Sequence, residues 1–302
     1  MIQGTTTTST NFDLIIVGAG IFGLWAARHA IRGGKRILVL EKRKVGAGAS
    51  GGFVGALMPH HTERWNAKKQ MQFEALAGLA DVIGELESDT GMTCGYRRCG
   101  RLVPLLHEQT REIVSRQIEG AREFWGGQFT MELVEPGDLA RVSRWLDTAA
   151  APHGAQWDDL SARVNPRRYV EALAAYVRAH GEIREGAEVV RLEPESRSVV
   201  LADGTRLSAS EICVAAGFEA YPLLQPFMGA MNDGRAIGRG VRGRRFCCHT
   251  SMMTASRSFM KAVPMSCRMR ATVWPLVPPR MTMTAVRRMP LTMEIWDFTT
   301  RR

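Results

Sequence analysis

Up to Gly243, apolar and polar residues alternate in blocks whose period changes from strand-like to helical and back. "FDLIIVGAG" is a short run of mostly branched apolar residues ending in glycine, which predicts a buried strand. Ile21 to Ile31 follows at helical spacing and closes at Gly33-Gly34. "RILVLEK" is a second buried run, so the three segments predict a βαβ unit. Phe73, Leu76, Leu79, Ala80, Ile83 and Leu86 recur with the period of a helix, as do Ile113, Val114, Ile118, Ala121 and Trp125. Between them, "GYRRCGRLVPL" reads as a strand. "NPRRYVEALAAYVRAHG" carries its own boundaries: Asn165 to cap, Pro166 in the first turn, Gly181 at the end. "AEVVRLEP", "SVVLADGTRL" and "EICVAAG" then read as strands, with Asp203-Gly204 marking a hairpin turn. No internal repeat accompanies the pattern.

Composition narrows the class. The chain has 302 residues, 45% hydrophobic and 23% charged, a globular balance with room for one large domain or two. No apolar run reaches the roughly 18 residues of a spanning helix. "MIQGTTTTST" lacks the basic-then-apolar order of a secretory signal and is expected to be a disordered tail, 1–10. A cytoplasmic setting is the resulting expectation. Cys94, Cys99, Cys213, Cys247, Cys248 and Cys267 form no zinc-type double pair and are expected to be reduced thiols.

The net charge of +10 suggests nucleic acid until it is located. From Arg244 to Arg302 there are 11 Lys+Arg against 2 Asp+Glu, so the rest of the chain carries a net charge of only +1. A basic face on the body is therefore not expected, and nucleic acid is excluded as a partner. The same boundary appears in other residue types. All 30 glycines lie at or before Gly243, while nine of the 16 methionines lie after it. A folded α/β chain uses glycine at turns and helix ends. The composition predicts a change of reading frame near Gly243. Back-translating the tail with permitted codons and reading from each third base restores glycines, acids and alternating patterns; every Met-Thr pair, for example, becomes an Asp codon. An unusual interaction tail is the alternative. On the first reading, 244–302 is an aberrant, poorly packed tail.

Gly18, Gly20 and Gly23 form G-x-G-x-x-G between the first strand and the first helix, with Ile21 and Phe22 inside the motif. Gly18 permits a tight turn, Gly20 allows a pyrophosphate to approach the backbone, and Gly23 lets helix and strand pack closely. The helix amino terminus offers free N–H groups and partial positive charge to phosphates. Glu41 ends the second strand, where a carboxylate accepts ribose hydroxyl protons and repels a 2′-phosphate. Strand, glycines, helix, second strand and terminal acid together predict an adenine dinucleotide.

Three stretches carry a resemblance to a known family. "VGAGIFGLWAARHAIRGGKRILVLEK" is a nucleotide fingerprint, "GAGASGGFVGALMPH" is a loop of Ala-Ser-Gly type, and "EVVRLE" through "ICVAAGF" is a second nucleotide-binding stretch. From about Phe12 to Gly243 the sequence resembles the D-amino-acid-oxidase-like FAD-dependent oxidoreductases, of glycine oxidase and D-amino-acid dehydrogenase type. The resemblance implies an α/β fold: a Rossmann-like FAD-binding domain with an interleaved α+β substrate domain, its C-terminal part incomplete. The FAD domain would use 11–80 and 165–222, the partial substrate domain 81–164 and 223–243. It implies FAD as cofactor, a small-molecule amine or amino acid as substrate, and oxidation of a C–N bond by hydride transfer to flavin. It further implies that Ala49, Ser50 and Gly51 lie against the pyrophosphate or ring, Lys42 beside the adenosine, Val189 at the adenine through its backbone, and Ala216 and Gly217 near the pyrophosphate. The frame-shifted text "YVVPHAGNRVAVGST" also resembles the family's closing segment, so the chain as written is expected to lack part of its site.

No catalytic residue is singled out. Arg97, Arg98 and Arg101, with Tyr96, are read first as solvated surface charges and second as candidates for pairing with a substrate carboxylate. His60 and His61 follow the Ala-Ser-Gly loop without a distinguishing signal. Two other functions stay open. An NAD-dependent dehydrogenase is disfavoured by the interposed loop and by Leu173 four residues after Tyr169, which leaves no Tyr-x-x-x-Lys pair there. A truncated, non-catalytic FAD-binding product is the other. Oligomeric state and substrate identity are not legible.

Overall fold

The branched apolar run becomes β1 (Thr7–Val17), followed by α1 (Ile21–Arg32) and β2 (Ile37–Glu41). The computed structural model describes residues 7–143, 146, 148–228 and 233–241; the expected aberrant tail, 244–302, lies outside them. After β2 come a 3-10 turn at Ala49–Gly51, β3 (Gly55–Leu57) and the long α2 (Ala67–Thr90). Next are β4 (Arg97–Arg98), β5 (Arg101–Pro104), α3 (Thr110–Phe124), β6 (Met131–Val134), α4 (Leu139–Val142), β7 (Ala155–Asp158) and β8 (Ala162–Val164). The chain then returns through α5 (Pro166–His180), β9 (Glu182–Glu185), β10 (Val189–Glu193), β11 (Ser198–Leu201), β12 (Arg206–Val214) and α6 (Ala220–Met228).

One sheet has six strands in the order β10-β11-β12-β1-β2-β9. β12, β1, β2 and β9 run parallel, with Leu14 opposite Glu211 and Val17 opposite both Val214 and Leu40. Central strands covered on both faces read as continuous apolar runs. Leu14 and Ile16 of β1 face a core made with Leu24 and Ala27 of α1, Leu173 and Val177 of α5, and Ile83 and Leu86 of α2. Ile15 and Val17 face the other way, with Leu38, Leu40, Val189, Leu192 and Leu201.

Among the described residues there are also two three-stranded antiparallel sheets, β3-β8-β4 and β5-β7-β6. Their core joins Phe73 and Leu76 of α2 to Val114, Ile118 and Ala121 of α3, with Trp125, Met131 and Leu160. Phe73 stacks near Trp125, and Trp65 stacks on Phe124 at 4.9 Å. All of these elements fall within one compact unit, residues 1–238. Among the described residues, no helix is long and apolar enough to cross a membrane.

Several boundaries differ from those read in the sequence. β1 begins at Thr7, within the stretch expected to be a tail; Thr7 and Thr8 pair with Arg206 and Leu207, and β-branched threonine suits a strand. "GYRRCGRLVPL" is not one strand. Gly100 takes φ +68° and divides it into β4 and β5, which enter different sheets. The expected domain boundary at 80 falls inside α2, whose two ends are buried in two different cores. Leu223 and Leu224, assigned to the substrate side, pack against the six-stranded sheet's core.

Candidate cofactor site

The carboxyl ends of β1, β2 and β12 meet at one edge of the large sheet, the position where open α/β sheets bind ligands. Gly18 follows β1 with φ +107°, and a Cβ there would lie 2.6 Å from the Ala215 carbonyl oxygen. Gly18 is thus needed for its backbone angle and for the space it leaves. A Cβ at Gly23 would fall on the Gly18 carbonyl oxygen, so α1 sits on the loop at a distance only glycine allows. Gly20 is the N-cap of α1 and offers no capping side chain. Ser50 replaces it from another loop: its Oγ accepts the Ile21 N–H at 3.0 Å, and lies 3.2 Å from where a Gly20 Cβ would be. The first turn of α1 contains no acid and its last turn holds His29 and Arg32, so its amino end retains positive character. Phe22, in that first turn, is 83% exposed.

Glu41 is half-buried at the end of β2. Its Oε2 accepts the Ala19 N–H at 2.9 Å and its Oε1 the Arg43 N–H at 2.9 Å. The carboxylate expected to face a ribose also ties the glycine loop to β2, with further lone pairs available on each oxygen. Lys42 bonds to Glu188 at 2.9 Å, which holds its ammonium above the usual lysine range. The Ala187 N–H donates to the Glu41 carbonyl at 2.9 Å, bringing the start of β10, Val189, beside this corner. The Ala215 N–H donates to the Val17 carbonyl at 2.8 Å. Ala216 is half-buried, and Gly217 opens a 3-10 turn with φ +60° and free space on its Cβ side. Ala49 and Gly51 flank Ser50 in the 3-10 turn that reaches α1.

Gly18, Gly20, Ile21, Phe22, Gly23, Glu41, Ala49, Ser50, Gly51, Ala216 and Gly217 are therefore grouped at one sheet edge, with Lys42 and Val189 adjoining it. A cradle whose glycines exclude side chains, beside an acid-free helix amino terminus, fits a dinucleotide pyrophosphate. Sequence reasoning singled these residues out without two of the contacts they make: Ser50 as the surrogate cap of α1, and Glu41 as acceptor for the loop backbone. It also missed Arg167, whose Nε donates to the Gly51 carbonyl at 3.2 Å. Helical spacing carries no signal for bonds that close across such separations.

Two of the three candidate substrate arginines are otherwise employed. Arg98 donates to the carbonyls of Leu76 and Ala77 at 3.0 Å and of Leu160 at 3.1 Å, and lies 4.7 Å over the Phe129 ring. Arg101 donates to the buried Asp158 at 3.1 Å. Arg97 is exposed, opposite Arg163. Burial pushes the Tyr96 phenol above its ordinary value. His60 and His61 are exposed, and the His60 N–H donates to Gln72. Among the described residues, no cluster of His, Cys, Asp and Glu could hold a metal.

Residues 13–261 match the family model described as DAO, FAD dependent oxidoreductase. The uncharacterized oxidoreductase YurR of Bacillus subtilis is 26% identical over 222 residues, covering 70% of this chain and 56% of that protein. Gamma-glutamylputrescine oxidoreductase of Escherichia coli is 24% identical over 227 residues, covering 70% and 50%. Among solved structures, glycine oxidase from Geobacillus kaustophilus aligns with TM-score 0.62 at 22% identity, covering 70% of this chain and 57% of that one. L-amino acid deaminase from Proteus vulgaris aligns with TM-score 0.60 at 21% identity, covering 74% and 51%. These structural likenesses concern the fold. The chain spans about half the length of the curated relatives it matches.

Proposed function

The chain belongs to the FAD-dependent oxidoreductases of the DAO family, with FAD as its cofactor, and from that premise we propose that it acts on the C–N bond of an amino acid or another small amine. When bound, FAD supplies a two-electron acceptor for a hydride leaving the substrate carbon. The observation that supports the reading best is the cradle of Gly18, Gly20 and Gly23 with Glu41 beside it. The names of the glycine oxidase, the deaminase and the gamma-glutamylputrescine oxidoreductase favour an amino-acid or amine substrate.

The chain's own contribution is binding and orientation. In this proposal the first turn of α1, from Gly20 through Ile21 and Phe22 to Gly23, receives the pyrophosphate, with Ala49, Ser50, Gly51, Ala216 and Gly217 around it. Glu41 and Lys42 take the adenosine end, Val189 contributes backbone, and the negative charge of Glu41 selects against a 2′-phosphate. The match to an FAD-dependent family favours FAD over the NAD alternative. A cytoplasmic setting belongs to the same proposal; Cys94, Cys99 and Cys213 are free thiols, and burial pushes the Cys94 thiol up to about 12.

Glu41→Arg removes the acceptor and introduces a cation, so FAD affinity should fall at least about tenfold, read by quenching of flavin fluorescence on titration. Unchanged affinity would refute the ribose assignment.

A second reading, an FAD-binding product without turnover, is favoured by the composition break after Gly243. Resequencing the DNA around Gly243 tests the frame directly. Expressing the chain as written beside a frame-restored version, and measuring bound flavin and amine turnover in each, separates the two readings. Equal turnover in both would end the second reading; flavin without turnover in the chain as written would favour it.

A further inference from the structure

The loop from Gly46 to Val54 rests on the amino-terminal end of α5. A Cβ at Gly46 would meet Val170 Cγ1 at 2.9 Å, and a Cβ at Gly55, just beyond the loop, would meet Val164 Cγ1 at 2.6 Å and Pro166 Cγ at 3.1 Å. Arg167, in the first turn of α5, crosses to this loop twice. Its Nε donates to the Gly51 carbonyl at 3.2 Å, and its guanidinium lies 4.1 Å from the centroid of the Phe53 ring. On its other side the loop is held by Ser50, which accepts the Ile21 N–H, and by the Gly46 N–H, which donates to the Ala19 carbonyl at 3.0 Å.

Arg167 stands where helix electrostatics disfavour it. A cation near a helix amino terminus opposes the macrodipole, and the first turn of α5 contains no acid to offset it. Among the described residues no carboxylate forms an ion pair with Arg167. Its neighbour Arg168 has the same location, and among the described residues only its backbone N–H is used, donating to the Asn165 cap at 3.2 Å. The contrast within one turn assigns Arg167 a task at the loop: a planar donor that serves a carbonyl and an aromatic face at once is what guanidinium provides.

We propose that Arg167 is a positioning residue, a latch that holds the Gly46–Val54 loop against α1 and thereby slows the departure of FAD. The proposal rests on the reading that this loop lines the dinucleotide. Phe53 is 42% exposed, so the latch sits at the surface, where it opens without unfolding the core.

The test compares Arg167→Ala, Arg167→Lys and Arg168→Ala in the full chain. Hydrogen exchange of the 46–54 peptide in the cofactor-free protein reads the latch itself. The rate of FAD release after dilution, followed by flavin fluorescence, reads its consequence. Arg167→Ala should speed both by about tenfold with the thermal midpoint unchanged, since a charge-assisted bond and a cation–π contact are lost without altering the core. Arg167→Lys, which keeps a cation for the ring but loses the planar donor, should fall between the parent and Arg167→Ala. Arg168→Ala should change neither. Phe53→Leu should reproduce part of the Arg167→Ala effect and add little to it in the double variant. Unchanged exchange of 46–54 in Arg167→Ala, or an equal effect from Arg168→Ala, overturns the latch. Faster exchange with unchanged FAD release overturns its role in retention. Faster exchange in a chain that never takes up FAD overturns the cofactor reading and leaves the latch standing.

Discussion

The central strands of the large sheet, β1 and β2, bury only apolar side chains along Leu14–Val17 and Ile37–Leu40, whereas β7 and the turn after it bury Gln156, Asp158 and Ser161. The first region is organised by non-directional burial, in which any apolar residue of suitable size serves. The second depends on directional partners. Asp158 accepts from Arg101 and from the Ser161 N–H, Gln156 donates to Gln117, and the Thr62 hydroxyl donates to the Gln117 carbonyl. Removing one partner from such a network leaves a buried polar group unpaired, at a cost larger than the bond itself contributes. The two regions should therefore fail differently: one by loss of space, the other by loss of a partner.

The largest effect is expected where space is least. Gly23→Ala drives a methyl into the Gly18 carbonyl and should destabilise the chain by at least about 3 kcal/mol, with FAD binding lost, as read by denaturant unfolding and flavin titration. A variant that unfolds like the parent would show that α1 can move off the loop cheaply. Asp158→Ala comes next. It strands the Arg101 guanidinium and the Ser161 N–H, and should cost about 2 kcal/mol, below the full value for a buried pair because the Arg101 side chain remains 21% exposed. Asp158→Asn keeps an acceptor for Ser161 and should cost less; equal losses would assign the effect to charge alone and blunt the contrast drawn above.

The smallest effect tests a polar feature of β1 itself, where its pairing with β2 begins. Asp13 accepts from the Arg36 backbone N–H, Nε and Nη2, and these bonds lower its carboxyl to about 2. A depressed folded-state value means its contribution is complete above the ordinary value of 3.8 and disappears as pH falls towards about 2. Asp13→Asn should flatten the acid limb of stability in that window only. The pair is exposed, so the change is small. Loss of stability near neutrality in this variant would mean that the bonds act through strand pairing instead of charge.

Legibility in the sequence follows the same division. β1, α1, β2, α5 and the hairpin at Asp203-Gly204 announce themselves, because burial imposes a period and glycine or asparagine marks the ends. β9 does not: "EIRE" is a charged edge strand whose register is supplied by β2. The short strands β6, β7 and β8 were equally silent, since their order rests on partners far along the chain. The site divides likewise. Three glycines and Glu41 are readable as a spacing, but the bond from Ala19 to Glu41 closes over 22 residues, and that from Ile21 to Ser50 over 29. Arg98 and Arg101 looked available for a ligand because their internal acceptors, backbone carbonyls and Asp158, leave no mark beside them in the sequence.

The pairing of Val17 with Val214, and of Leu40 with Arg184, has a consequence for biosynthesis. β1 and β2 leave the ribosome early, yet their outer neighbours are encoded far downstream. At about 5–20 residues per second, β1 waits roughly 10–40 s for β12. During that interval two very apolar strands have unpaired edges and uncovered faces, the features that promote association between nascent chains. High contact order slows the final docking as well. Yield during expression should then depend on synthesis rate, growth temperature and holdase supply more strongly than the finished sheet, with all its central edges closed, would suggest.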